Sequence, residues 1–195
     1  VYRLSARLAV KLWKGPDHPD LQGNDALRQA AQQRIVLYRQ KLDRFPQTLP
    51  AEVIAPLTPA TDRQGRHVLG YSMPLVDGAV ELHRLRVLPV QAQLGLPPAM
   101  VGTLCLRLAQ LVDALHAAQV VIGDFNDLNV LIRPPALGKP AKGAPQAGAV
   151  PQVFLIDCDS YQFGGFFCNA YTVTFVDPML CRPDADQPSL AQPHT

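Results

Sequence analysis

The chain has 195 residues, 48% of them hydrophobic and 17% charged, which is enough apolar material for one folded domain or two small lobes and too much for a disordered chain. Its 18 Lys and Arg against 16 Asp and Glu leave a net charge of +2, so nothing in the charge calls for a nucleic acid or an acidic membrane as partner. Cys105, Cys158, Cys168 and Cys181 show neither CxxC nor zinc-site spacing and read as free thiols of a reducing, cytoplasmic setting; no run of about 18 apolar residues suggests a membrane span, and the N-terminus lacks the layout of a signal peptide.

The runs VYRL and LAVKLW, parted by SAR, predict a hairpin, which Gly15-Pro16 ends. A helix is expected from about Asn24, its N-cap, to Leu42, with Leu27, Ala31, Ile35, Tyr38 and Leu42 at helical spacing. EVIAPL and HVLGYSMPLV read as two further strands joined by the polar turn TPATDRQGR. Asp77-Gly78 marks a hinge-like turn, and AVELHRLR a short helix. The strongest helical pattern runs from Pro98 to Ala118, with Leu104, Leu108, Leu111, Val112 and Leu115 on one face.

After that helix, Val120–Ile122 and Val130–Ile132 read as short buried strands, and between them stand Asp124, Asn126, Asp127 and Asn129. The Ala/Pro/Gly/Lys-rich residues 133–152 read as a flexible surface insertion. VFLI then leads into Asp157-Cys158-Asp159, followed by Tyr161, Phe163, Phe166 and Phe167, expected as packing aromatics, and by a polar, Pro-rich tail from 182 to 195. Both ends of the chain read as cut. An Asx turn in a hairpin accounts for one polar residue between two strands more readily than for Asp124 and Asn129 together. Carboxylate and amide oxygens gathered from two such acidic turns suit Mg²⁺, a hard cation that takes oxygen ligands and completes its shell with phosphate and water.

In this order the residues resemble a protein kinase. Asp124 and Asn129 have the D-x4-N spacing of the family's catalytic loop, Asp157 follows an apolar strand as the metal-binding Asp does, and LAVK sets Lys11 in a V-A-I-K-like strand. SMPLVDG is similar to a gatekeeper and hinge, with Met73 as gatekeeper. GDFNDLNVLI with LIDCDSYQF resembles a divergent bacterial branch with G-D-F-N-x-x-N and D-x-D-S-Y-Q in place of H-R-D and D-F-G, often found with helix-hairpin-helix segments or beside phosphatase and von Willebrand-type proteins.

The resemblance implies an α+β, bilobal protein kinase-like fold, truncated at both ends. It has an antiparallel β N-lobe with one αC-type helix (1–76, without its Gly-rich loop) and a mainly helical, partial C-lobe (77–181). It implies ATP and Mg²⁺ (or Mn²⁺) as cofactors, and a protein substrate or regulatory protein as partner. Lys11 would hold the α/β-phosphates, and Val1, Ala9, Met73, Leu75, Val76 and Leu131 would line the nucleotide site. Asp157 and Asn129 would ligate metal, while Asp124 would take or orient the proton of an attacking Ser/Thr hydroxyl. Asp159 stands where the family has Gly, either as a further metal ligand or as a cap on the following turn.

The chain also departs from that pattern. The αC-type helix holds no Glu to pair Lys11, leaving Gln29, Gln32 or Gln33 as neutral partners; Ile122-Gly123 replaces His-Arg; Asn126 stands where protein-serine kinases carry Lys; and Met179 replaces a Glu. These departures raise a nucleotide-binding scaffold, a pseudokinase, as the alternative. Gly123-Asp124 also resembles the G-D of small-molecule phosphotransferases.

Overall fold

The computed structural model describes residues 1–134, 150–168 and 172–175. The chain folds as an α+β protein with two antiparallel sheets and divides into two compact units, Val1–Gln47 with Ile54–Asp77, and Thr48–Val53 with the chain from Gly78 onward.

In the first unit, β1 (Tyr2–Arg3) and β2 (Leu8–Leu12) form the expected hairpin, and the sheet continues through β4 (Val68–Pro74) to β3 (Thr58–Thr61) in the order β1-β2-β4-β3. The third strand is not EVIAPL. Val53 belongs to the second unit, where it makes only a single bridge, to Leu155, and the strand falls on TPAT, within the stretch expected as a turn. β3 is an edge strand whose side chains are mostly exposed, so it carries no apolar alternation to reveal it.

Helix α1 (Asp25–Asp43) starts where its N-cap predicts: Asn24 Oδ1 accepts the Leu27 N–H at 3.0 Å. Ala31 is buried and Ile35, Tyr38 and Leu42 half-buried, but Leu27 is exposed and Lys41 lies buried in its place on the packed side. The Trp13 ring at the end of β2 contacts Tyr38 of α1 (5.6 Å between centroids) and Tyr71 of β4 (6.2 Å), joining helix to sheet through aromatic packing. Removal of the cap in Asn24→Ala leaves the Leu27 N–H without its side-chain acceptor and should lower stability by about 1 kcal/mol, read as a shift in the urea midpoint with an unchanged slope.

The second unit is built on a three-stranded antiparallel sheet, β5 (Val80–Glu81), β6 (Val130–Arg133) and β7 (Gln152–Leu155), in that order. The sheet extends at the β7 edge, where the Leu155 N–H donates to the Glu52 carbonyl at 3.0 Å. AVELHRLR is not an α-helix: β5 is followed by a 3-10 turn over Leu82–Arg86, whose three-residue period sets Leu82 and Leu85 on one side. Residues 133–152, expected as one flexible insertion, begin and end inside the sheet, with Arg133 paired to Gln152; 135–149 lie outside the described residues, as do Met179, Cys181 and the tail.

Helix α2 (Leu88–Gln93) precedes α3 (Val101–Ala117), which a 3-10 turn at Pro98–Met100 introduces. Leu104, Leu111 and Leu115 of α3 are buried, and Leu108 and Val112 half-buried. By length and composition Pro98–Ala117 is apolar enough to cross a membrane, contrary to the expectation that no such run exists. Here the same apolarity serves one-sided packing: its buried leucines recur at helical spacing, while Arg107 and Asp113 are exposed. Among the described residues this unit holds one long helix beside a sheet, rather than the mainly helical lobe expected.

Candidate active site

Val120–Ile122 does not form a strand. Val120 is fully buried, and Val121 alone pairs, exchanging both backbone hydrogen bonds with Gln162 at 2.9 and 2.7 Å. Gly123 comes next, and its lack of a side chain is a requirement: a Cβ there would overlap the Ser160 carbonyl oxygen and the Cys168 side chain. Cys168 is fixed in turn, its N–H donating to the buried Gln162 Oε1 at 2.9 Å.

The loop beyond Gly123 is braced from inside by Asn126. Its Oδ1 accepts the N–H groups of Leu128 (2.9 Å) and Asn129 (3.1 Å), which is the Asx-turn pattern, and the residue is 7% exposed. The turn chemistry thus belongs to Asn126, leaving the other two side chains for different work. Asn129 Nδ2 donates to the Asp124 carbonyl oxygen at 2.9 Å and lies 3.4 Å from Asp124 Oδ2. Asp124 Oδ1 accepts both the Thr172 backbone N–H and the Thr172 hydroxyl, each at 2.8 Å. The same hydroxyl accepts from Asn126 Nδ2 at 3.2 Å, so its one proton and a lone pair are both used. One carboxylate oxygen is therefore anchored twice, and the other is met only by the longer Asn129 contact among the bonds described.

Asp127 is a charged anchor. Its carboxylate meets Arg86 at 2.6 Å and His83 Nδ1 at 3.2 Å, and its carbonyl accepts the His83 N–H at 3.0 Å. His83 is thereby tied to the loop.

The register Val130 to Leu155 continues one step further, with the Ile156 N–H donating to the Asn129 carbonyl at 3.0 Å. Asn129 and Asp157 therefore lie at the same end of the β6–β7 pair. Asp157 leaves the strand with φ 61 and ψ 57, a left-handed conformation that few non-glycine residues adopt and that concentrates at functional sites. It begins the 3-10 turn Cys158–Ser160 without a side-chain capping bond, and Asp159 falls in that turn, half-buried. No group of three or more His, Cys, Asp or Glu suited to a metal occurs among the described residues; Asp157 and Asn129 bring one carboxylate and one amide to this sheet end.

Behind the turn the Tyr161 phenol is fully buried, and burial, with the Cys158 thiol adding to it, raises its pKa well above the usual range. Phe163 and Phe166 are buried and meet edge to face at 5.4 Å, whereas Phe167, also expected to pack, is exposed.

In the first unit, Ala9 is buried and pairs with Met73 across β2 and β4, and half-buried Lys11 pairs with Tyr71. Strand alternation puts Ala9, Lys11, Tyr71 and Met73 on one face of the sheet. Leu75 continues the pairing through its N–H to the Arg7 carbonyl at 3.0 Å, and Leu75, Val76 and, in the second unit, Leu131 are half-buried. Val1 is 73% exposed and precedes β1. Gln29, Gln32 and Gln33 are all exposed on α1.

Thr172 is the site residue that sequence reasoning missed, since its contacts span 46 and 48 residues and no local pattern marks it. No family model matches the chain, and no curated protein matches it.

Proposed function

We propose that this chain is the core of a divergent bacterial protein kinase, with a bilobal kinase-like fold, that transfers phosphate from ATP to protein Ser/Thr hydroxyls with Mg²⁺ or Mn²⁺. The observation that carries the reading is the bracing of Asp124: Thr172 anchors one carboxylate oxygen through two bonds, and Asn129, at the sheet end that leads to Asp157, holds the backbone of the same residue. A group that accepts a proton in a transition state has to be held in place before the reaction, and that is what these bonds provide.

Asp157 and Asn129 offer hard oxygen donors that fit Mg²⁺, with Asp159 as a further carboxylate on the adjoining turn. Bound Mg²⁺ supplies charge neutralisation for the phosphates. Lys11, on the face it shares with Ala9 and Met73, is the cation assigned to the α/β-phosphates.

A nucleotide-binding scaffold is the second reading, favoured by one observation: α1 carries no Glu, and its candidate amides are exposed. Incubation of the purified chain with γ-labelled ATP, Mg²⁺ or Mn²⁺ and a mixed Ser/Thr protein substrate separates the two. The kinase reading expects label on protein Ser or Thr, lost in Asp157→Asn. ATP-dependent thermal stabilisation with no transfer selects the scaffold, and the absence of both overturns nucleotide binding altogether.

A further inference from the structure

The second unit contains a cavity of about 450 Å³ whose walls are mostly apolar, among them Leu82, Leu85, Leu104, Leu108, Val130 and Ile132. The pocket is open to solvent, with Arg86, Val101 and Cys105 of its lining exposed. The volume lies within the range of small-molecule sites, about 300–1,000 Å³, and the walls suit an apolar body.

The polar part of the lining is more specific. It includes Arg86 and Asp127, ion-paired at 2.6 Å. Asp127 is also met by His83, so its charge already has two partners. Arg86 meets Asp127 through one terminal nitrogen, and a guanidinium presents five donors in a fork that can take a second anionic oxygen. Arg86 is the cation among the lining residues, and Arg84 stands on the same 3-10 turn outside the lining.

We propose that this cavity binds a small anionic amphiphile, its apolar body among the leucines and its carboxylate or sulfonate at Arg86. Because Arg86 also holds Asp127, a residue of the loop that carries Asp124, such a ligand is linked to that loop through the shared guanidinium. The consequence for turnover rests on the kinase reading; the binding does not.

The test is titration of the full chain with decanoate below its micellar concentration, followed by calorimetry, with decylamine as the cationic counterpart. Saturable one-to-one binding of decanoate is expected. Binding should weaken about tenfold or more in Arg86→Gln, which removes a charge-assisted hydrogen bond, and by a similar factor in Leu108→Trp, which fills the cavity. Should Leu108→Trp fail to fold, Arg86→Gln and decylamine decide. No saturable binding, or binding indifferent to the variants, overturns the site. Decylamine binding as tightly as decanoate overturns the anionic assignment. Decanoate binding by a chain that transfers no phosphate with or without the ligand would sink the kinase reading alone.

Discussion

On the kinase reading, Asp124→Asn should lower phosphoryl transfer by about 10²–10⁴ while leaving the fold intact, the range expected for loss of a general base. Asparagine keeps one carbonyl-type oxygen, which can still accept both Thr172 bonds, so the loop retains its anchor. The second oxygen becomes an NH₂ that accepts no proton and now faces the donor Asn129 Nδ2, 3.4 Å from Oδ2 in the native chain. At 1.36 kcal/mol per decade the expected loss is about 2.7–5.4 kcal/mol of transition-state stabilisation. Thr172→Val is the instructive companion, because it removes the hydroxyl bond to Asp124 and the acceptor for Asn126 Nδ2 but keeps the backbone N–H. It should cost less than Asp124→Asn and act mainly on the maximal rate, since Asp124 would be misplaced rather than absent. Single-turnover transfer of labelled phosphate, with melting curves to verify folding, measures both. An Asp124→Asn variant of native activity would reduce Asp124 to a structural turn residue.

How far this site could be read from the amino acids depends on the range of each interaction. Helix α1 was legible because its N-cap and apolar repeat are local, and Asn24 does bond Leu27. The third strand was not, because apolarity and strand formation separate in that region. Val53 and Ile54 are buried, but Pro56 interrupts the run and Val53 bridges only Leu155, while the polar TPAT pairs along the sheet edge. The same confusion made Val120–Ile122 look like a strand, where burial of Val120 and a single bridge at Val121 account for the apolar run.

In the site, the Asp124–Asn129 spacing singled out two residues that the structure does bring together, because five residues of loop can be closed by one amide. Asn126 looked like a substitution at a reacting position; it is the buried brace of the turn, a role that its short side chain and two-sided amide suit. Thr172, and the Arg86 and His83 partners of Asp127, could not be read at all. Those contacts cross 40 residues or more, where a lone Thr, Arg or His carries no periodic or spacing signal.

Gly123 joins these two kinds of information, and its substitution should have a large effect on stability. In sequence it is a departure, standing where a kinase carries Arg. In the structure, a Cβ at this position would overlap the Ser160 carbonyl and Cys168, which Gln162 holds in place. A backbone carbonyl cannot rotate away as a side chain can, so Gly123→Ala forces the loop and the Ser160–Cys168 segment apart. Overpacking of this kind costs about 1–3 kcal/mol or more, and at the upper end the melting temperature should fall by roughly 6–12 °C for a chain of this size. Gly165→Ala, where a Cβ would meet nothing within 4 Å, is the control and should stay within about 0.5 kcal/mol. Adding Cys168→Ala to Gly123→Ala relieves the thiol overlap but not the carbonyl one, so the double variant should recover only part of the loss. A Gly123→Ala protein that melts with the wild type would mean that the Asp124 loop does not pack against Ser160 and Cys168 in solution. If it melts early as expected, Arg is excluded at this position for steric reasons, and a regulatory contact made through that Arg has no place in this chain.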